Sequence, residues 1–158
     1  MTPAPLAFDL PDSGATEALG RALAQSFPAA DIGAVVHLRG ELGSGKTTLV
    51  RGAAQALGVT DPITSPTFSI GHRYRAAALN VSHLDLYRLA GLGDEDPALL
   101  EDYLGDGRIA FVEWPVADNP ELAAAPMRVT LSHLGAERRR IELEGERIER
   151  AAAIELPR

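Results

Sequence analysis

The stretch GELGSGKTTLV holds Lys46, the only lysine of the chain, between a glycine and two threonines; the other fourteen basic residues are all arginine. Gly40, Gly45, Lys46 and Thr47 fit the spacing G-x-x-x-x-G-K-[ST], with an apolar run before it and a helical pattern after it. Glycines in such a loop let backbone N–H groups close around phosphate oxygens. A helix starting there aims unpaired N–H groups and the positive end of its dipole at the same anion. An ammonium is a compact charge that reaches β- and γ-phosphates, and a planar guanidinium has a different geometry. The hydroxyl of Thr47 suits Mg²⁺. These residues predict binding of a nucleoside triphosphate with magnesium. A guanine reader of the Asn/Thr-Lys-x-Asp kind would need a second lysine, so ATP is the better fit.

A magnesium–nucleotide site usually adds an acid from the end of a neighbouring strand. Asp85 in VSHLDLYRL and Glu113 in IAFVEW compete for that role. Glu113 follows an apolar run and suits the carboxyl end of a parallel strand, the edge where open α/β sheets bind ligands. Asp85 lies in a stretch of mixed polarity, a weaker match to a buried strand. With no role in chemistry, Asp85 would serve as a helix N-cap and Glu113 as a solvated strand end. Thr67 in SPTF can close onto a γ-phosphate–magnesium pair and open after hydrolysis, or simply follow Pro66 in a turn. Trp114, the single tryptophan, reads as a core or rim anchor. His37, His72, His83 and His133 show no metal-ligand spacing and read as structural. Arg138, Arg139 and Arg140 form the one basic cluster, which reads as a solvated strand face or, alternatively, as a contact to phosphate or base. Thr16 is an early-helix or capping residue.

The elements that must position these groups follow from hydrophobic period. Residues 15–27 and 49–58 carry helical patterns, the latter closed by Gly58. GAVVHL and RIAFVEW read as buried strands, FSIGHRY and ALNVSHLDLY as a hairpin turning near residues 75–77, and MRVTLSHL and RRRIELEG as late strands of period two. A helix is expected over residues 94–104, starting near Pro97. Strands alternating with helices predict an α/β layered sheet in a single domain over residues 1–158, with a peripheral tail after about residue 146.

Composition narrows the partners. The net charge is −7, so tight binding of a phosphate backbone by this chain alone is not expected. There is no cysteine for a disulfide or thiolate site, and no apolar run near the roughly 20 residues that span a bilayer. The N-terminal residues lack the basic and apolar regions of a signal peptide. A cytoplasmic protein with no membrane partner is expected.

In order and spacing, ATEALGRALA, GELGSGKTTLVRG, ITSPTF, HLDLYRL and FVEWP resemble the TsaE (YjeE) family, the bacterial P-loop ATPases of tRNA threonylcarbamoyladenosine modification. The resemblance implies a P-loop NTPase-like three-layer fold with a mostly parallel central sheet flanked by helices. It implies Mg-ATP held by Glu41, Leu42, Gly43, Ser44, Gly45, Lys46, Thr47 and Thr48. Thr47, Asp85 and Glu113 would stand at the metal, with Lys46, Asp85, Glu113 and a switch-like Thr67 carrying the catalysis. Thr16, Trp114 and Arg138 match positions that approach the nucleotide. TsaD-like and TsaB-like partners, which carry threonylcarbamoyl transfer, are implied, with tRNA reached only through that complex. A small-molecule kinase or a non-hydrolysing nucleotide-dependent adaptor are the alternatives; no arginine-rich lid of the kind kinases close over two substrates is evident, since Arg73, Arg75 and Arg88 are scattered.

Overall fold

Strands buried on both faces need apolar side chains pointing both ways, and VVHL and IAFVE meet that demand in the middle of the sheet. The computed structural model describes residues 4–26, 35–66, 71–76, 79–86, 102–104, 108–113 and 127–145. The elements are β1 (Leu6–Leu10), α1 (Ser13–Gln25), β2 (Val35–Arg39), α2 (Lys46–Ala56), β3 (Gly71–Arg75), β4 (Asn80–Asp85), β5 (Arg108–Glu113), β6 (Met127–Gly135) and β7 (Arg138–Glu144). They form a seven-stranded sheet in the order β1-β7-β6-β2-β5-β4-β3. The inner strands β6, β2, β5 and β4 pair in parallel, and the outer pairings β1–β7, β7–β6 and β4–β3 are antiparallel.

Alternation along each strand sorts the core into two faces. Val36 and Leu38 of β2, Ile109 and Phe111 of β5, Val81 of β4 and Ile141 and Leu143 of β7 pack with Leu19 and Leu23 of α1 and Leu49, Val50 and Ala53 of α2. The opposite face gathers Val35, Leu84, Leu86, Ala110 and Val112, covered by Tyr103 and Leu104. In β5 the side chain two places after Phe111 is Glu113, so that acid belongs to the face of the two helices. The fold thus confirms the α/β P-loop architecture, with antiparallel margins around a parallel centre.

Two helices fix the loop between β2 and α2. Asp12 caps α1, its carboxylate accepting from the Ala15 N–H at 2.8 Å, so the helix begins at Ser13, ahead of the expected residue 15. α1 and α2 cross with almost no space between backbones: a side chain on Gly20 would strike the Leu49 carbonyl, and one on Gly52 the Glu17 carbonyl. That contact sets α2, and with it Lys46 and Thr47, against α1 and the sheet.

Three expectations are revised. LAFDL was not anticipated as a strand, yet β1 pairs with β7 along its whole length, from Leu6 with Leu143 to Leu10 with Arg139. β4 is buried from Val81 to Leu84 despite its mixed polarity, because Ser82 and His83 are interior residues. Asp85 ends that strand rather than capping a helix. The expected hairpin is present, closed by the Ala76 N–H on the Leu79 carbonyl at 3.0 Å. Of the helix expected over residues 94–104, only residues 102–104 lie among those described, and the tail after residue 146 lies outside them. No helix among the described residues is long and apolar enough to cross a membrane.

Candidate functional site

The loop leaving β2 bends through Gly40 and Gly43 and enters α2 at Gly45, whose φ of 104° few residues other than glycine adopt. Gly40 is also sterically required, since a Cβ there would lie 2.8 Å from the Leu131 carbonyl oxygen. Gly45 caps α2 without any side-chain bond, leaving the first N–H groups of the helix for another acceptor. Lys46 opens the helix and is buried, with Nζ donating to the carbonyls of Gly40 at 2.7 Å and Glu41 at 3.1 Å. An anion cradle and its ammonium are therefore assembled within one turn of chain.

The acids come from the next two strands. In the parallel register Leu38 of β2 lies beside Glu113 of β5, and Glu113 beside Asp85 of β4. Both carboxylates thus stand at the carboxyl edge of adjacent strands, on the face that carries α2. A cavity of about 490 Å³ lies between them and the loop, lined by Glu41, Leu42, Gly43, Gly45, Lys46, Thr47, Thr48, Ser65, Asp85 and Glu113. Its volume is in the range of small-molecule sites. Leu42 is 96% exposed at its rim. The two acids that competed in the sequence occupy one site.

Ser44 and Thr16, expected at the nucleotide, are not among the residues that line the cavity. Ser44 is fully buried under the loop. Thr16 is also buried, its hydroxyl donating to the Asp12 carbonyl at 3.4 Å and its methyl group beside Gly45. Thr67 and Trp114 lie outside the described residues.

Sequence reasoning missed three participants. Ser65, two residues before Thr67, lines the cavity wall. His83, read as merely structural, has Nε2 3.0 Å from Glu113 Oε1, both side chains buried. Arg139 reaches the loop from β7, donating through Nε to the Ser44 carbonyl and through Nη2 to the Gly43 carbonyl, each at 3.1 Å. The arginine cluster is therefore not simply a solvated face. Arg139 shares the side of Ile141 that packs on the helices, whereas Arg138 and Arg140 alternate to the other side, and Arg140 pairs with Asp9 at 2.9 Å. The position singled out in the sequence, Arg138, is exposed on the hairpin beside the residue that grips the loop.

This layout can bind a multiply charged anion against a helix N-terminus with two acids opposite. A family model described as "Threonylcarbamoyl adenosine biosynthesis protein TsaE" matches residues 10–141. The chain belongs to the TsaE family. A TsaE protein of Synechocystis is 43% identical over 113 residues, covering 68% of this chain and 69% of the relative. That of Streptomyces coelicolor is 40% identical over 115 residues, covering 72% and 76%. Among solved structures, Bacillus subtilis YdiB superposes with a TM-score of 0.65 at 30% identity, covering 92% of this chain and 87% of that one. The TsaE match begins in β1 and ends in β7, so it takes in the loop, both acids and Arg139.

Proposed function

We propose that this TsaE-family chain is the magnesium-dependent ATPase subunit that supports threonylcarbamoyl transfer to the adenosine next to the anticodon of tRNA. The observation that carries this reading is a cavity in which the uncapped start of α2, Lys46 and Thr47 face Asp85 and Glu113. The β- and γ-phosphates of ATP would take the loop N–H groups from Gly43 to Thr48. Lys46 would turn from the Gly40 and Glu41 carbonyls, its present acceptors, to the phosphates.

The donor set fits magnesium. Thr47, Asp85 and Glu113 are hard oxygen donors around one cavity, and adjacent carboxylates without a cation between them repel. Among the described residues no three His, Asp or Glu groups gather into a cage of their own. Magnesium takes few protein ligands and completes its shell with water and phosphate oxygens. Thr47, Asp85 and Glu113 would hold the ion, whose positive charge would offset the negative charge that develops on the phosphates. Glu113, held in the sheet, would orient the metal or the attacking water. Thr67, Trp114 and the exposed Arg138 are the further nucleotide contacts of this reading, with Thr67 sensing the γ-phosphate.

The charge of −7 supports reaching tRNA through partner proteins rather than by direct binding; in this reading those partners would be TsaD-like and TsaB-like proteins in the cytoplasm. Reconstitution with those partners, tRNA, threonylcarbamoyl donor and ATP tests the proposal. Phosphate release together with sustained formation of threonylcarbamoyladenosine supports it. Transfer of the γ-phosphate to a small acceptor would make the chain a kinase, and product formation without phosphate release would make it an adaptor.

A further inference from the structure

An imidazole in the middle of a buried strand loses its hydration and must recover it from a partner. His83 is such a residue, with no exposed surface, and its partner is Glu113. In the register of β4 and β5, His83 lies beside Phe111 and Asp85 beside Glu113, so the imidazole reaches the carboxylate diagonally from two residue pairs deeper in the sheet. An ionised carboxylate only accepts, which assigns the hydrogen to Nε2. Nδ1 has no partner among the described residues, as fits the unprotonated nitrogen, since a buried orphan N–H would carry the full desolvation cost.

We propose that His83 is a positioning residue for Glu113: its Nε2–H pins Oε1 and fixes the carboxylate plane, leaving Oε2 and the negative charge for the cavity. This rests on the magnesium-ATPase reading of that cavity. The choice of donor has a physical reason. Arginine or lysine at this place would hold the carboxylate equally well but would cancel the charge that a magnesium–triphosphate needs. A neutral imidazole orients without neutralising. An apolar residue would fill the strand at no polar cost but would leave a buried carboxylate free to turn. Outer-shell partners of this kind are worth about 10–100-fold in metal affinity or activity.

The test uses His83→Leu, which removes the donor, and His83→Gln, whose amide can replace Nε2–H. ATP binding in excess chelator should stay within about two-fold of wild type for both, which shows a folded chain and an intact loop. For His83→Leu the Mg²⁺ concentration giving half-maximal ATP affinity should rise about 10–100-fold, and at saturating Mg²⁺ kcat should fall with KM for ATP unchanged, while His83→Gln restores most of both. Equal impairment of the two variants, or an unchanged magnesium requirement in His83→Leu, overturns the proposal. Ring ¹⁵N spectra of the nucleotide-free protein should report the Nε2-protonated tautomer, and an Nδ1-protonated ring overturns it too. A wild-type chain that neither binds nor hydrolyses Mg-ATP would refute the reading of the cavity, and there the ring spectrum decides the contact with Glu113 by itself.

Discussion

Arg139 holds the glycine-rich loop from outside: its guanidinium donates to the Ser44 carbonyl through Nε at 3.1 Å, while Nη1 is anchored on the Ala136 carbonyl at 2.7 Å. The Gly43 and Ser44 carbonyls are thereby tied back to the β6–β7 hairpin. Hydrogen bonds from a charged donor contribute about 1.5–3 kcal/mol, less here because the side chain is partly solvated. Arg139→Ala should weaken ATP binding about ten-fold, or roughly 1.4 kcal/mol. Arg139→Lys should recover only part, since one ammonium cannot span both carbonyls in the same fork. Titration calorimetry measures both. If Arg138→Ala proves the more damaging change, the hairpin acts through direct contact with nucleotide rather than through the loop.

The crossing of α1 and α2 depends on Gly52. A methyl group there meets the Glu17 carbonyl with no flexible side chain to yield, so the helices must separate. Gly52→Ala should cost about 2 kcal/mol or more by overpacking, lowering Tm by roughly 5 °C or more. A thermal melt within a degree of wild type would mean that the helices can slide apart freely.

Glu113→Gln should retain ATP binding within about ten-fold while suppressing phosphate release more than 100-fold, because an orienting acid acts mainly in the transition state. Asp85→Asn should weaken magnesium affinity more than the turnover of the loaded protein. Single-turnover phosphate release and magnesium titrations separate the two. The reverse pattern would exchange the assignments of these neighbouring acids.

The loop was legible in the sequence because its tight bend and the helix start behind it demand glycines at fixed positions, and no other lysine competes with Lys46. Glu113 was legible for a related reason: an apolar run ending in an acid marks a buried parallel strand. Asp85 was harder to place because Ser82 and His83 interrupt the apolar pattern of a strand that is nevertheless buried. The bond between His83 and Glu113 joins residues thirty apart through the strand order, so no local spacing announces it. Among the three arginines, alternation back from Ile141 puts Arg139 on the side of the loop, and that this side meets the loop follows from strand order rather than from local spacing. β1 went unseen because LAFDL is a short edge strand between prolines, half exposed along its length.

The central claim is that Lys46 and its loop bind Mg-ATP, and calorimetric titration of ATP into wild type and Lys46→Ala in the presence of Mg²⁺ tests it most directly. The account predicts saturable one-to-one binding by wild type and a loss of about 100-fold or more in affinity for the variant, since a charge-assisted contact to phosphate is removed and no other lysine exists to replace it. Lys46→Arg should be strongly impaired as well, because the guanidinium does not fit the place of a compact ammonium. Affinity of Lys46→Ala close to that of wild type, with both proteins folded, would contradict the account.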